Sequence, residues 1–447
     1  MGVKMTRAAS CTVQRADHGL DRRDGVSNSR CYSICNDRDG GYFMAKVMQG
    51  IRILEVAEHT FVPAAAALLA DWGADVIKIE HVERGDAMRG LAATGVVDIP
   101  TDVHALLEHS NRGKRSLGLD LMSEEGRAIL YRLVETSDVF LTNKLPRVRK
   151  KLQIDLDIVR GWNPRIVYAS GTGQGERGPE ADDGSYDSLA FWARAGMAAA
   201  LTRADDGQVP GPPAPGLGDS IGAMTIAGGI MGALFHRERT GEATTVDVSL
   251  LSTGVWAMGQ SVALSLLTGV PWSVPVDNPR ANPLARNYIT ADGRWLAFTC
   301  LQAGKYWPLL VEAVGRPELA ADVRFRDHVT LLDNSAAAIA ILQEIFAERS
   351  ADEWRTMLAG FSGQWVVVQT ALEIADDPQV VANGYVQQCH TSTGVPFRLA
   401  ATPVQYGGIP SVPQRAPEFN EHGDRILAEL GIDWDQVVDL KVRGVVA

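Results

Sequence analysis

The sequence predicts an α/β fold in which a parallel, doubly wound sheet is joined by a smaller α+β unit. Three observations carry this. Short apolar runs alternate with helical segments between Ile51 and Leu267, the order of parallel strands joined by crossover helices. The stretch from Pro271 to Pro283 holds four prolines and no periodicity, which marks a linker. Beyond it, an Asp292-Gly293 pair separates two strand-like runs, the signature of an antiparallel hairpin.

Taken in order, Ile51–Val56 is rich in β-formers and reads as the first strand, and Pro63–Trp72 is rich in Ala and Leu and reads as a helix. Asp75–Glu80 is the second strand. Ser123 followed by two glutamates starts a helix that runs to Glu135, because serine caps the first amides and acids suit the positive helix end. Asp138–Thr142 and Arg165–Ala169 are further strands. An apolar, small-residue helix follows Asp219 and stops at Thr240-Gly241, with His236, Arg237 and Arg239 in its last turn and glycine as the left-handed cap. Thr244–Val248 is a strand, and a helix then runs to Leu267. In the smaller unit, helices are expected near Tyr306–Val314, Ala336–Glu348 and Ala351–Leu358. The pattern changes again near Ala371, and Arg425–Leu430 reads as the last helix. The expected divisions are a disordered leader over 1–43, a large domain over 44–270, a linker and small domain over 271–370, and a return to the large domain over 371–447.

Composition narrows the function. The chain is 46% hydrophobic and 22% charged with a formal net charge of −11, the balance of a globular protein without the basic face of a nucleic-acid binder. The best candidate for a membrane span, Ala223–Phe235, is short and rich in glycine. Cys11, Cys31, Cys35, Cys300 and Cys389 are scattered and odd in number. Cys31 and Cys35 lack a second pair to complete a metal site. Reduced thiols in a cytoplasmic protein without a metal are therefore expected.

Several motifs compete for the chemistry. Gly173-x-Gly175-x-x-Gly178 follows a strand, but Pro179 and acidic residues follow it where a dinucleotide site needs a helix. Serine-hydrolase, zinc-protease and phosphate-loop motifs are absent from the sequence. Asn111–Leu121 is a basic turn running into a strand, and Arg147, Arg149, Lys150 and Lys151 form a second basic cluster. Each reads either as a solvated face or as a phosphate site. Asp219 stands in Gly216-Leu-Gly218-Asp219-Ser220-Ile-Gly222. Aspartate before an apolar helix is a favoured N-cap. The bare glycines also open a second reading, a carboxylate kept ionised by the helix dipole and able to attack an electrophile beside free amides.

These pieces occur together and in order in the class III CoA-transferases of the CaiB/BaiF type, which this chain resembles from about residue 49 to its end. The matching stretches are Gly50–Val56, Leu69–Glu80 with Gly85, Asp86 and Arg89, Asn111–Leu121, Asn143–Leu152, Gly218-Asp219-Ser220, His236–Gly241 and Ala416–Gly423. The resemblance implies a Rossmann-like large domain, a smaller domain on long linkers, and an interlocked homodimer. It implies an acyl-CoA donor, a carboxylic acid acceptor and CoA as substrate, with Asp219 as a nucleophile that passes through an aspartyl anhydride and an aspartyl-CoA thioester. By position it assigns CoA contacts to His59, Thr60, Phe61, His81, Leu119, Asp120, Leu121, Met122, Asn143, Lys144, Lys151, Gly184, Ser185, Tyr186 and Asp187. The family's usual Ala-Gly-Pro is Phe61-Val62-Pro63 here, which implies a more hindered backbone approach. The glycine-rich lid of formyl-CoA transferases is absent from Asn278–Ala285, so specificity for oxalate or formate is not implied. An alternative is an α-methylacyl-CoA racemase or epimerase, but the histidine that branch uses is Tyr186 here, and a phenol is a poor base at neutral pH. A non-catalytic CoA-binding protein is the third reading. Phe191, Trp192, Trp256 and Met258 hint at an apolar acyl pocket, though such spacing also suits a core.

Overall fold

The computed structural model describes residues 46–447, except 95–98, 100, 101, 204–206, 275–277 and 279. The expected leader and the Cys31/Cys35 pair lie outside the described residues. The large domain begins with β1 (Arg52–Val56), α1 (Phe61–Asp71), β2 (Asp75–His81), α2 (Ala105–Asn111), β3 (Arg115–Leu119), α3 (Glu124–Glu135) and β4 (Val139–Thr142). It continues with α4 (Pro146–Leu152), α5 (Leu156–Trp162), β5 (Val167–Thr172), a π-helical turn at Ser188–Arg194, α6 (Met197–Leu201), α7 (Leu217–Thr240), β6 (Thr245–Ser249), α8 (Leu250–Ala257) and α9 (Gly259–Thr268).

The six strands form one parallel sheet in the order β3-β2-β1-β4-β5-β6. The order reverses between β1 and β4, where Ile53 is opposite both Val76 and Val139. Such a switch point opens a crevice at the carboxyl ends of the strands. Side-chain alternation sends Ile53, Val76, Val139 and Val167 into one core with α1 and α7, and Leu54, Ile77, Phe140 and Tyr168 into another with α3 and α5. Ile53 and Leu54 are both fully buried, so the strands read as continuous apolar runs rather than alternating ones.

The smaller domain comprises β7 (Asn287–Ile289), β8 (Trp295–Phe298), α10 (Ala303–Ala313), α11 (His328–Asp333), α12 (Ser335–Phe346), α13 (Ala351–Met357) and β9 (Trp365–Val367). Its antiparallel sheet runs β7-β8-β9, and its own core is built on Tyr288, Phe298, Trp307, Phe346 and Trp354. Then come α14 (Ala371–Ile374), α15 (Pro378–Asn383), the antiparallel pair β10 (Val386–His390) and β11 (Pro396–Ala400), α16 (Gly423–Glu429) and α17 (Trp434–Val442). Ile426 and Leu427 of α16 and Val437 and Leu440 of α17 lie in the core of the large sheet with Leu117 and Leu130.

Three expectations need correction. Arg425–Leu430 is not the last helix, because Asp433 caps α17 through a reciprocal pair with Gln436. The helix expected to reach Leu267 breaks at Met258, where α8 and α9 meet at 67°. The apolar run taken as short, Ala223–Phe235, belongs to a 24-residue helix whose length and hydropathy match a membrane span. Its Ile226, Ala227 and Ile230 are fully buried in the first core, which accounts for much of that hydropathy.

Candidate active site at the carboxyl ends of the parallel strands

The loop leaving β1 is Ala57-Glu58-His59-Thr60. His59 adopts φ 69°, a left-handed conformation that strains a residue with a side chain. A buried chain of charges holds it there. The His59 amide donates to Asp86 Oδ1 at 2.9 Å, and Asp86 Oδ2 meets Lys78 Nζ at 2.7 Å. Lys78 also reaches Glu55 at 2.7 Å and the Ala57 carbonyl at 2.9 Å. The other oxygen of Glu55 is 2.6 Å from Lys114 Nζ. All four charged side chains are fully buried. Burial lowers a lysine pKa, but Asp86 and Glu55 outweigh it at Lys78, whose pKa rises. At Lys114 burial prevails over Glu55 and the pKa falls to about 7.

Asn143, just past β4, closes the switch point. Its Oδ1 accepts the Glu58 amide at 3.2 Å and its Nδ2 donates to the Glu58 carbonyl at 2.7 Å, so one side-chain amide imitates a strand partner. Lys144 reaches Glu58 Oε2 at 2.6 Å, and Arg84 takes the other oxygen at 3.1 Å.

α7 brings in Asp219. The helix starts at Leu217 with Gly216 at its N-cap, φ 66°, and no side-chain cap from that residue. Asp219 is therefore the third helical residue and not the N-cap. The acceptor for the helix end comes from elsewhere: Asp187 Oδ2 accepts the Gly218 amide at 3.2 Å. The glycines are also not open ground. A methyl group at Gly218 would stand 2.5 Å from the Phe191 ring, and one at Gly222 would stand 2.4 Å from the Phe61 ring. They let α7 pack closely against Phe191 and Phe61. Asp219 is half-buried. Its pKa is pushed up to about 7, first by burial and then by the Asp187 charge. The expectation that the helix dipole holds it fully ionised at neutral pH is corrected accordingly, since desolvation exceeds the dipole in a site this enclosed. Tyr186 stands edge-on to the His59 ring, centroids 5.7 Å apart, and the methyl of Thr60 lies against Gly216. His59, Thr60, Tyr186, Asp187 and Asp219 thus form one constellation.

The sequence model of CoA-transferase family III matches residues 48–423. The chain belongs to CoA-transferase family III. Among proteins it is similar to, the (R)-2-hydroxy-4-methylpentanoate CoA-transferase of Clostridioides difficile is 28% identical over 402 residues, covering 90% of this chain and 99% of the relative. The succinate–glutarate CoA-transferase of Agrobacterium fabrum is 31% identical over 394 residues, covering 86% and 95%. A CaiB/BaiF family protein from Brucella suis has a solved structure that superposes with a TM-score of 0.74 at 28% identity, covering 86% of this chain and 99% of that one.

The remaining positions assigned in this CoA-transferase differ in exposure and surroundings. His81 ends β2 and is exposed, its Nδ1 accepting the Glu83 amide at 3.2 Å. Leu119 and Leu121 are buried in the second core, Asp120 accepts the Met122 amide, and Met122 is 54% exposed. Lys151 is exposed on α4, while Arg149 beside it is buried against Glu176 at 2.5 Å. Gly184 is exposed, and Ser185 packs close to Gly173. Phe61 turns inward to the core at 6% exposure. The Phe61-Val62 departure therefore hinders no approach from outside. Gly222 makes room for the phenyl ring and Gly171 for Val62. The basic turn at Asn111–Arg115 is neither a solvated face nor a phosphate site. Arg112 pairs with Asp71, Lys114 with Glu55, and Arg115 with Asp75 and Glu429.

Of the four apolar candidates, Phe191 and Trp192 are core and Trp256 is 86% exposed. Met258 lines a cavity of about 530 Å³ with Ala199, Val262, Leu266 and Trp272. Sequence reasoning missed Asp86 and Lys78 as supports of the His59 loop. A lysine and a glutamate alternating with apolar residues inside a central strand was the available signal, because a charge in such a strand needs a partner. Among the described residues no group of His, Cys, Asp or Glu could hold a metal.

Proposed function

We propose that this enzyme transfers CoA from an acyl-CoA donor to a carboxylic acid with Asp219 as the covalent nucleophile. The observation that carries the reading is a half-buried carboxylate in the first turn of α7, relieved of capping duty and set beside the strained His59 loop. An Asp219 oxygen attacks the thioester carbonyl carbon, the C–S bond breaks, and CoA leaves as thiolate with the acyl group held in a mixed anhydride. The thiolate then attacks the Asp219 carbonyl, releasing the donor's carboxylate and leaving an aspartyl-CoA thioester. The acceptor carboxylate repeats the two steps in reverse. No proton is gained or lost overall, and each step trades one activated acyl bond for another, as covalent catalysis requires. The raised basicity of Asp219 favours attack, because nucleophilicity grows with basicity. Water must be kept from the anhydride.

In this reading Asn143, Lys144, Lys151, His81 and Met122 would meet the nucleotide of CoA. An interlocked homodimer would cover apolar side chains left open on one subunit: Phe235, Trp256, Leu266 and Leu267 are each more than 60% exposed.

The test is exchange of CoA between a panel of acyl-CoA donors and carboxylic acids, followed by mass spectrometry. Asp219→Ala is expected to lower exchange by at least about 10³-fold, and in the parent incubated with acyl-CoA, hydroxylamine should displace CoA from the aspartyl thioester and leave Asp219 as a hydroxamate. Exchange by the alanine variant at the parent's rate overturns the reading. Deuterium entering the α-carbon of the donor without any acceptor would assign the racemase chemistry instead.

A further inference from the structure

Asp219 and Asp187 lie 32 residues apart in sequence, and the role expected of the first is performed by the second. A helix leaves its first amides without intrahelical acceptors, and a side chain at the N-cap usually supplies one. Here the N-cap is Gly216, which has no side chain to offer. Asp187 supplies the acceptor across the loop, its Oδ2 taking the Gly218 amide at 3.2 Å. Asp187 immediately precedes the π-helical turn Ser188–Arg194, and Phe191 of that turn packs closely against Gly218. The cap is thus fastened to α7 by a hydrogen bond and by packing one turn apart.

We propose that Asp187 is a positioning residue of the transfer reaction: it caps α7 from outside the helix and so leaves the Asp219 carboxylate free to attack. This rests on the reading of Asp219 as the nucleophile, and extends it to a residue for which resemblance offered only a place beside CoA. The arrangement has an electrostatic consequence. A cap that is itself anionic sits close enough to Asp219 to oppose its ionisation, adding to burial in raising its pKa to about 7. Attack needs the carboxylate form, so the proton on Asp219 must leave before the C–S bond can break.

Other charges are remote or engaged. α1 carries only Asp71, at its far end and paired with Arg112. The π-helical turn carries Arg194, paired with Glu180. β5 offers Tyr168, bonded to the Ile154 carbonyl, and β6 offers Asp247, which faces Glu176, Arg177 and Arg149. α8 has no titratable side chain. His236, Arg237, Glu238 and Arg239 occupy the opposite end of α7. On and beside the His59 loop, Glu58 is paired with Lys144 and Arg84, and Asp86 with Lys78, while the His59 and Tyr186 rings meet edge-on.

The sign follows from the carboxylate form being the reactive one. In the parent, kcat/KM should rise with pH through about 7 and level off above it. Asp187→Asn keeps an oxygen for the Gly218 amide and removes the charge. It should hold the melting temperature near the parent's and move the acidic limb down by about one pH unit. Asp187→Ala removes both and should melt roughly 1–2 °C lower.

A measurement independent of substrate makes the test decisive. The gain in melting temperature from Asp219→Asn between pH 5 and pH 8 reads the proton on Asp219, and it should shrink when Asp187→Asn is already present. An unchanged gain, or an asparagine variant that melts as low as the alanine one, overturns the proposal. If Asp219→Ala still exchanges CoA while the melting results come out as expected, the capping stands and the nucleophile assignment falls.

Discussion

A carboxylate that burial and a neighbouring anion both discourage from ionising weakens the fold wherever it is forced to ionise. For Asp219 the unfolded chain loses its proton near 4 and the folded one near 7. The favourable contribution is therefore intact below 4 and is lost as pH rises through 7. Asp219→Asn should stabilise the protein at pH 8 by on the order of 4 kcal/mol and have almost no effect at pH 4. Chemical denaturation at the two pH values reads the difference, and equal gains would show that Asp219 does not titrate as described. The opposite case is Lys78, sealed between Glu55 and Asp86. Lys78→Met strands the buried Asp86 carboxylate and leaves Glu55 with Lys114 alone, and should cost about 3–5 kcal/mol, measured by urea unfolding. Milder loss would mean that water reaches the cluster.

At this scale the sequence was partly legible. Asp219 could be singled out because glycines isolate it, but its hydrogen bonding could not. The acceptor on Asp187 and the donor at Gly218 are separated in sequence by the π-helical turn, α6 and a loop, a pairing that no local pattern encodes. The charges at Arg112, Lys114 and Arg115 looked accessible because a basic run says nothing about the acids that β1, α1 and β2 bring beneath it.

Among elements, the fit of α7 against α1 invites a direct trial. The missing side chain at Gly222 is where the Phe61 ring sits. Gly222→Ala should cost about 1–3 kcal/mol through overpacking, and a second change, Phe61→Leu, should return part of it. If the double variant is less stable than the sum of the singles, the contact is not what limits the site. β4 and β5 of the large sheet were readable because both faces are buried, and β1 and β2 because their apolar residues outweigh the Glu and Lys set among them. α1, α3 and α7 were readable from composition, capping serine and terminal glycine. β9, only three residues long, and the β10–β11 pair carry too little pattern to be found. α17 was missed because its apolar residues Val437 and Leu440 are few, although its Asp433 cap and Gln436 were in plain view.

For the molecule as a whole, the exposed apolar residues on α7, α8 and α9 predict self-association. Sedimentation should give twice the mass of one chain. Replacing Leu266 and Leu267 together by aspartate should shift the protein toward monomer while leaving the large sheet folded by circular dichroism. A parent that sediments as a monomer at micromolar concentration removes the dimer from the proposal.

The cover of one sheet face arrives late. α16 and α17 lie against strands made some three hundred residues earlier, with His422 and Asn420 fastening their start to Ser116 and Gly118. During synthesis from the amino terminus, the surface bearing Leu117 and Leu119 must therefore wait, greasy and unshielded, while the entire small domain is translated. A nascent chain stalled before residue 423 should be a better client for chaperones than the finished enzyme, and a shortened chain should collect in inclusion bodies even though every residue of the proposed reaction is present in it.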